Sequence, residues 1–223
     1  MNASNPLLDC IEVEPTKPAT AAVIWLHGLG ASGHDFAGIV PELHLPESMA
    51  VRFIMPHAPK IPVTINNGYV MPAWYDIISM TLERELDEAQ LLASSDAVVQ
   101  LIERELERGV PSDKIVLAGF SQGGAVVYQT ALSFDKPLAG LMALSTYFAT
   151  ADSIALSGAN QSLPVLIHHG NRDGVVPELL GRRAEEVLIA KNYSVQYKSY
   201  SMEHSVCPEQ INDISTWLQK VLA

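Results

Sequence analysis

Apolar residues in this chain cluster in short unbroken runs closed by turn residues, with helical periodicity in the stretches between. Residues 21–27 (AAVIWLH) form such a run, ended by the glycine-rich GLGASG. Short apolar runs bounded by turn signals suit strands buried on both faces. Residues 51–56 (VRFIMP), 114–119 (KIVLAG), 138–145 (LAGLMALS) and 164–170 (PVLIHHG) read the same way. From residue 87 to 108 the period changes. Leu91, Leu92, Val98, Val99, Leu101, Ile102 and Leu106 recur at helical spacing among charges, and Gly109 with Pro111 stops the helix. Residues 123–133 and 177–192 also read as helices, and residues 208–222 form a closing amphipathic helix opened by proline. Residues 194–200 (SVQYKSY) alternate as a strand near a sheet edge does, and an edge strand is also expected within residues 1–20.

Strands alternating with helices predict an α/β fold in one domain, residues 1–223, with a mostly parallel central sheet flanked by helices. Residues 61–77 (IPVTINNGYVMPAWYDI) fit neither period and predict a long irregular loop at the functional edge. Val70, Met71, Trp74 and Tyr75 give that loop apolar surface for a substrate cleft. The competing reading tucks those side chains into the core for stability.

Composition narrows the function. Hydrophobic residues make up 48% of the 223 and charged residues 17%, with a formal net charge of −11. The mean hydropathy is +0.15. Such acidity argues against nucleic acid, whose phosphates require a basic footprint, and against electrostatic docking on anionic lipid. No apolar stretch is long enough for an integral membrane segment. The N-terminal residues lack a basic region followed by an apolar one, so the expectation is cytoplasmic residence with Cys10 and Cys207 reduced.

Candidate chemistry begins at LAGFSQGG, residues 117–124. G-F-S-Q-G fits G-x-S-x-G, and its predicted context of strand, tight turn and helix is what a nucleophile elbow requires. Ser121 would stand at the carboxyl edge of the sheet, at a helix N-terminus that favours developing negative charge. A serine hydroxyl is a poor nucleophile until a base takes its proton. In chain order an acid and then a histidine should follow, each just beyond a strand. Asp173 lies past residues 164–170, and His204 past residues 194–200. Asp152 precedes the required strand, and Asp213 lies inside the last helix. His34, His44 and His57 come before Ser121, while His168 and His169 sit on a strand and suit packing or positioning. Oxyanion donors are assigned to the backbone N–H groups of Gln122, after the nucleophile, and Leu29, in the loop LHGLGASG. No HExxH or paired CxxC is present, so no metal is expected.

LHGLGASGHDF (26–36), MPHAP (55–59), MPAWYDI (71–77), LAGFSQGGAVVYQTAL (117–132), HGNRDGVVP (169–177) and MEHSVCPEQI (202–211) follow one another in the chain. With them the sequence resembles the carboxylesterase and acyl-protein thioesterase (lysophospholipase-like) family of α/β-hydrolases. The resemblance implies an α/β-hydrolase fold, a triad of Ser121, Asp173 and His204, oxyanion donors at Leu29 and Gln122, and Trp74 in the wall of the acyl site. It also implies a cytosolic serine esterase without cofactor, in some cases a homodimer. The family often continues HGLGD, whereas Ala31 and Ser32 follow Gly30 here. The expected activity is a serine carboxylesterase acting on short- to medium-chain acyl esters. A thioesterase or lysophospholipase is the alternative within the same chemistry, and a catalytically silent binding protein the alternative outside it.

Overall fold

The computed structural model describes residues 7–81 and 84–223. Its strands are β1 (Cys10–Val13), β2 (Ala21–Leu26), β3 (Val51–Pro56), β4 (Lys60–Val63), β5 (Tyr69–Pro72), β6 (Ile115–Phe120), β7 (Gly140–Leu144), β8 (Val165–Gly170) and β9 (Val195–Tyr200). The α-helices are α1 (His34–Ala37), α2 (Glu88–Glu107), α3 (Gln122–Ser133), α4 (Glu178–Ala190) and α5 (Pro208–Val221). Seven strands form one sheet in the order β1-β3-β2-β6-β7-β8-β9. All neighbours are parallel except the edge strand β1, which runs antiparallel to β3.

The unbroken apolar runs follow from this arrangement. Alternate residues of β2 enter opposite cores, with Ala22, Ile24 and Leu26 facing one side and Ala21, Val23 and Trp25 the other. Leu91, Val98 and Leu101 of α2, Val126 and Val127 of α3 and Leu180 and Leu188 of α4 fill the first core. Phe36 of α1 and Ile214, Trp217 and Leu218 of α5 fill the second. A strand sandwiched between two cores has no polar face to show, hence its lack of alternation. The outer strand β9 is only partly covered and does alternate.

Residues 61–77 differ from the irregular loop expected from composition. β4 and β5 pair antiparallel as a small separate hairpin, with Ile61 opposite Met71 and Val63 opposite Tyr69. Asn67 (φ 54°) and Gly68 (φ 73°) supply the left-handed turn that lets the chain reverse. The prolines fall at ladder positions of a two-stranded ribbon, where a missing N–H is tolerated.

His168 on β8 is buried, with its ring 4.9 Å from that of Tyr200 in an edge-on contact. Burial pulls its pKa down to about 4, against an opposing pull from Asp213. An unfolded imidazole titrates at about 6.5. Between these values the unfolded chain binds more protons than the folded one, so stability rises with pH across that window. Melting temperature should therefore fall as pH is lowered from about 6.5 toward 4, and His168→Leu should flatten the slope. An unchanged slope in that variant would assign it to other groups.

Candidate active site

β6 ends at Phe120 and α3 begins at Gln122, so Ser121 alone makes the corner. Its backbone sits at φ 53° and ψ −121°, a conformation that costs a non-glycine residue about 1–3 kcal/mol. The surroundings enforce it. The Ser121 N–H donates to Leu144 O at 2.9 Å, and its carbonyl accepts from the Gly124 N–H at 2.9 Å and the Thr146 hydroxyl at 2.6 Å. Two glycines let the corner close. A Cβ on Gly119 would lie 2.5 Å from Gly123 O, and one on Gly123 would lie 2.6 Å from His27 O. Helix therefore packs directly on strand backbone.

The sheet order brings in the other groups. β8 and β9 are neighbours with Gly170 opposite Tyr200, so the loops after them emerge side by side. His204 Nδ1 donates to Asp173 Oδ2 at 2.6 Å, and His204 Nε2 lies 2.9 Å from Ser121 Oγ. With Nδ1 carrying its proton, Nε2 is free to accept the serine's. Asp173 Oδ1 accepts the N–H groups of Val175 at 2.9 Å and Val176 at 2.8 Å. Burial pushes the Asp173 carboxyl up, but the hydrogen bonds from His204 and the two amides outweigh it and hold its pKa below the ordinary range. The group stays ionised. His169 ties the same turn from beneath, its Nε2 donating to Val176 O at 2.8 Å.

The competing residues lie elsewhere. Asp152 lines a separate cavity with Arg84 and Arg183. Asp213 binds Lys198 at 2.6 Å and the Tyr200 hydroxyl at 2.7 Å. The His57 ring accepts the Gly33 N–H at 3.1 Å and lies 5.4 Å from the ring of His34, while His44 closes a short turn.

β2 lies beside β6 with Leu26 opposite Gly119, so the loop after β2 meets the serine corner. This is the point where strand order reverses, the usual ligand edge of an open α/β sheet. Among the described residues, the N–H groups of Leu29 and Gln122 have no acceptor. Two features orient them. The Gly28 carbonyl shares a peptide plane with the Leu29 N–H and accepts from His27 Nδ1 at 2.7 Å and the Ala31 N–H at 3.2 Å. Holding that carbonyl aims the N–H the opposite way. The His27 tautomer follows from its other nitrogen, since Nε2 accepts the Ala58 N–H at 3.1 Å. Burial depresses the His27 pKa and keeps the ring neutral. His27 escaped the sequence reading because it precedes Ser121 and acts through backbone. On the other side, the Gln122 side chain accepts the Trp74 N–H at 2.9 Å and donates to Tyr75 O at 2.6 Å.

Two cavities meet at Ser121. One, about 470 Å³, is lined by Leu29, Phe36, Ile39, Phe120, His204 and Val206. The other, about 50 Å³, is lined by Leu29, Ile65, Ile77, Gln122, Tyr147 and Val176. Met71, Trp74 and Tyr75, expected to bind substrate, line neither. Trp74 is 1% and Tyr75 0% exposed. The Trp74 indole N–H donates to His27 O at 2.8 Å, and the two hydroxyls of Tyr75 and Tyr147 lie 2.7 Å apart. Satisfied polar tips let both side chains stay in the core. Met71 lies against the Gly30 turn, outside the cleft. The same segment does reach the cleft, but through Ile65 and Ile77.

A serine on a strained strand–helix corner, followed in chain order by an acid and a histidine beyond later parallel strands, defines the α/β-hydrolase fold. The chain belongs to the phospholipase/carboxylesterase family, whose sequence profile matches residues 9–222. It is 38% identical over 214 residues to acyl-protein thioesterase 1 of Neurospora crassa, spanning 91% of this chain and 87% of that one. Against acyl-protein thioesterase 1 of Cryptococcus neoformans the identity is 36% over 233 residues, spanning 95% and 97%. Among solved structures, acyl-protein thioesterase 2 of Zea mays superposes with a TM-score of 0.86 at 28% identity, covering 96% of this chain and 99% of that one. SOBER1 of Arabidopsis thaliana superposes with a TM-score of 0.85 at 28% identity, covering 91% and 99%. The protein is therefore a hydrolase of ester or thioester bonds. Among the described residues, no helix is long and apolar enough to cross a membrane.

Proposed function

We propose that the protein cleaves carboxylic esters through an acyl-enzyme at Ser121, with His204 as base and then acid and Asp173 orienting it. The observation that carries this reading is the relay itself, 2.9 Å from Ser121 Oγ to His204 Nε2 and 2.6 Å from His204 Nδ1 to Asp173. His204 takes the serine proton as Oγ attacks the carbonyl carbon. Charge on the carbonyl oxygen is met by the N–H groups of Leu29 and Gln122, and Asp173 stabilises the imidazolium. His204 then hands the proton to the departing alcohol. In the second half it activates water against the acyl-enzyme in the same way.

The position of His204 also orients the substrate. The leaving group must lie where the imidazole can protonate it, in the cavity of about 470 Å³ that His204 lines. The acyl group then points to the other side, into the cavity of about 50 Å³ walled by Ile65, Ile77 and Tyr147. A small acyl cavity favours short to medium chains, and longer ones must leave past the half-exposed Met80 and Val175 at its mouth. Thioester cleavage is the second reading, supported by the names of the relatives from Neurospora crassa and Cryptococcus neoformans. The same relay would protonate a departing thiolate. Cytoplasmic residence and a homodimer are proposed on the family resemblance alone.

A fluorophosphonate followed by intact-mass and peptide mapping tests the nucleophile. One adduct on Ser121 is expected, and an adduct elsewhere or none sinks the assignment. Turnover along matched ladders of p-nitrophenyl esters and acyl thioesters should peak at short to medium chains. A peak at long-chain thioesters would replace the ester reading with the thioesterase one.

A further inference from the structure

We infer that Trp74 is a positioning residue that registers the two oxyanion donors against each other. This rests on the proposed serine mechanism but assigns Trp74 a role opposite to the expected acyl wall. The two donors come from separate parts of the chain, Leu29 from the loop after β2 and Gln122 from the start of α3. Their backbones are not hydrogen-bonded to one another among the described residues. Trp74 connects to both.

Its indole N–H donates to His27 O at 2.8 Å, and its main-chain N–H donates to Gln122 Oε1 at 2.9 Å. The Gln122 amide is then closed by its second bond, to Tyr75 O at 2.6 Å. On the other branch, the His27 ring grips the Gly28 carbonyl at 2.7 Å and so orients the Leu29 N–H. The indole and imidazole rings lie 5.2 Å apart, and the His27 ring is held from turning by its bonds to Gly28 O and the Ala58 N–H. The Ser94 hydroxyl caps the Trp74 carbonyl, so every polar group of the residue is engaged. Buried and fully hydrogen-bonded, Trp74 is a fixed post between the two halves of the hole. Oxyanion stabilisation depends on donors that are already in place when charge develops, so a small change in their separation costs rate and leaves ground-state binding alone.

Trp74→Phe keeps an aromatic ring and removes the indole donor. Gln122→Met keeps the length of the side chain and removes its link to residues 74 and 75. Both are assayed on a short p-nitrophenyl ester and against an alkyl trifluoromethyl ketone. In that adduct Ser121 Oγ bonds to the ketone carbon, the serine proton passes to His204, and the ketone oxygen becomes the anion held by the two N–H groups. Each variant is expected to lower kcat about tenfold at near-parental KM, and to weaken the ketone by the same factor. The double variant should be little worse than the poorer single one, because both break one registration. A raised KM at unchanged kcat would make Trp74 a substrate wall and overturn the inference. So would unchanged ketone affinity, or full additivity of the two changes. Should Trp74→Phe fail to fold, Gln122→Met decides alone by the same comparison. Stoichiometric fluorophosphonate labelling of parental Ser121 tests the underlying mechanism separately. Its absence defeats that mechanism, whereas labelling with a fully active Trp74→Phe defeats only the positioning role.

Discussion

Ser121→Ala is expected to lower kcat by about three orders of magnitude or more while the melting temperature stays near the parental one. The hydroxyl is the only atom lost, and the elbow is held by backbone bonds to Leu144, Gly124 and Thr146 that the variant keeps. What activity remains would come from the oxyanion donors and binding alone. Asp173→Asn should cost a similar factor for a different reason. Its Oδ1 can still accept the N–H groups of Val175 and Val176, which leaves the amide NH₂ facing His204 Nδ1. Donor would meet donor, so the imidazole must shift its proton to Nε2 and lose the lone pair that takes the serine's proton. Ester turnover and a circular-dichroism melt on both variants check this. Full activity in Ser121→Ala would move the nucleophile elsewhere. Full activity in Asp173→Asn would remove the orienting role, and neither Asp152 nor Asp213 is placed to inherit it.

Gly123→Ala is expected to destabilise the protein by about 3 kcal/mol and to cut activity with it. Its new Cβ would lie 2.6 Å from His27 O, 2.7 Å from Leu26 Cβ and 2.8 Å from Leu26 O. Two of these atoms are backbone at the end of β2, which has no rotamer to turn away. α3 would have to lift from β2, carrying Ser121 and the Gln122 N–H away from Leu29. A melting temperature lower by about 10 °C is the expected reading for a chain of this length. Gly158→Ala is the control, because a Cβ there meets nothing within 4 Å. Equal melting temperatures for the two variants would refute the close-packed corner.

The elements read most readily from sequence were those whose burial is uniform. β2, β3, β7 and β8 lie between two cores, so they read as short buried runs without reference to neighbours, unbroken in β2 and β7 and interrupted only by Arg52 in β3 and by His168 and His169 in β8. α2 was legible because one face meets the core and the other meets solvent, with Asp87 capping its start by accepting from the Gln90 N–H. The hairpin of β4 and β5 was not. Two strands of four residues, each exposed along half its length, carry too little pattern to outweigh two prolines and an Asn-Gly pair.

The candidate triad was legible because its order is imposed by chain topology. Ser121, Asp173 and His204 each follow a predicted strand, and parallel strands deliver such loops to one edge whatever the intervening helices do. Local sequence also determined the elbow, since only glycine fits where Gly119 and Gly123 cross. Tertiary structure alone decided where Trp74 and Tyr75 point. An apolar side chain in an aperiodic segment is equally suited to a cleft and to a core, and the choice fell to partners distant in sequence, His27, Gln122 and Tyr147. The same holds for His27 itself. Its effect on the Leu29 N–H passes through a peptide carbonyl, and a hydrogen bond to backbone leaves no mark on the identity of the residue that accepts it.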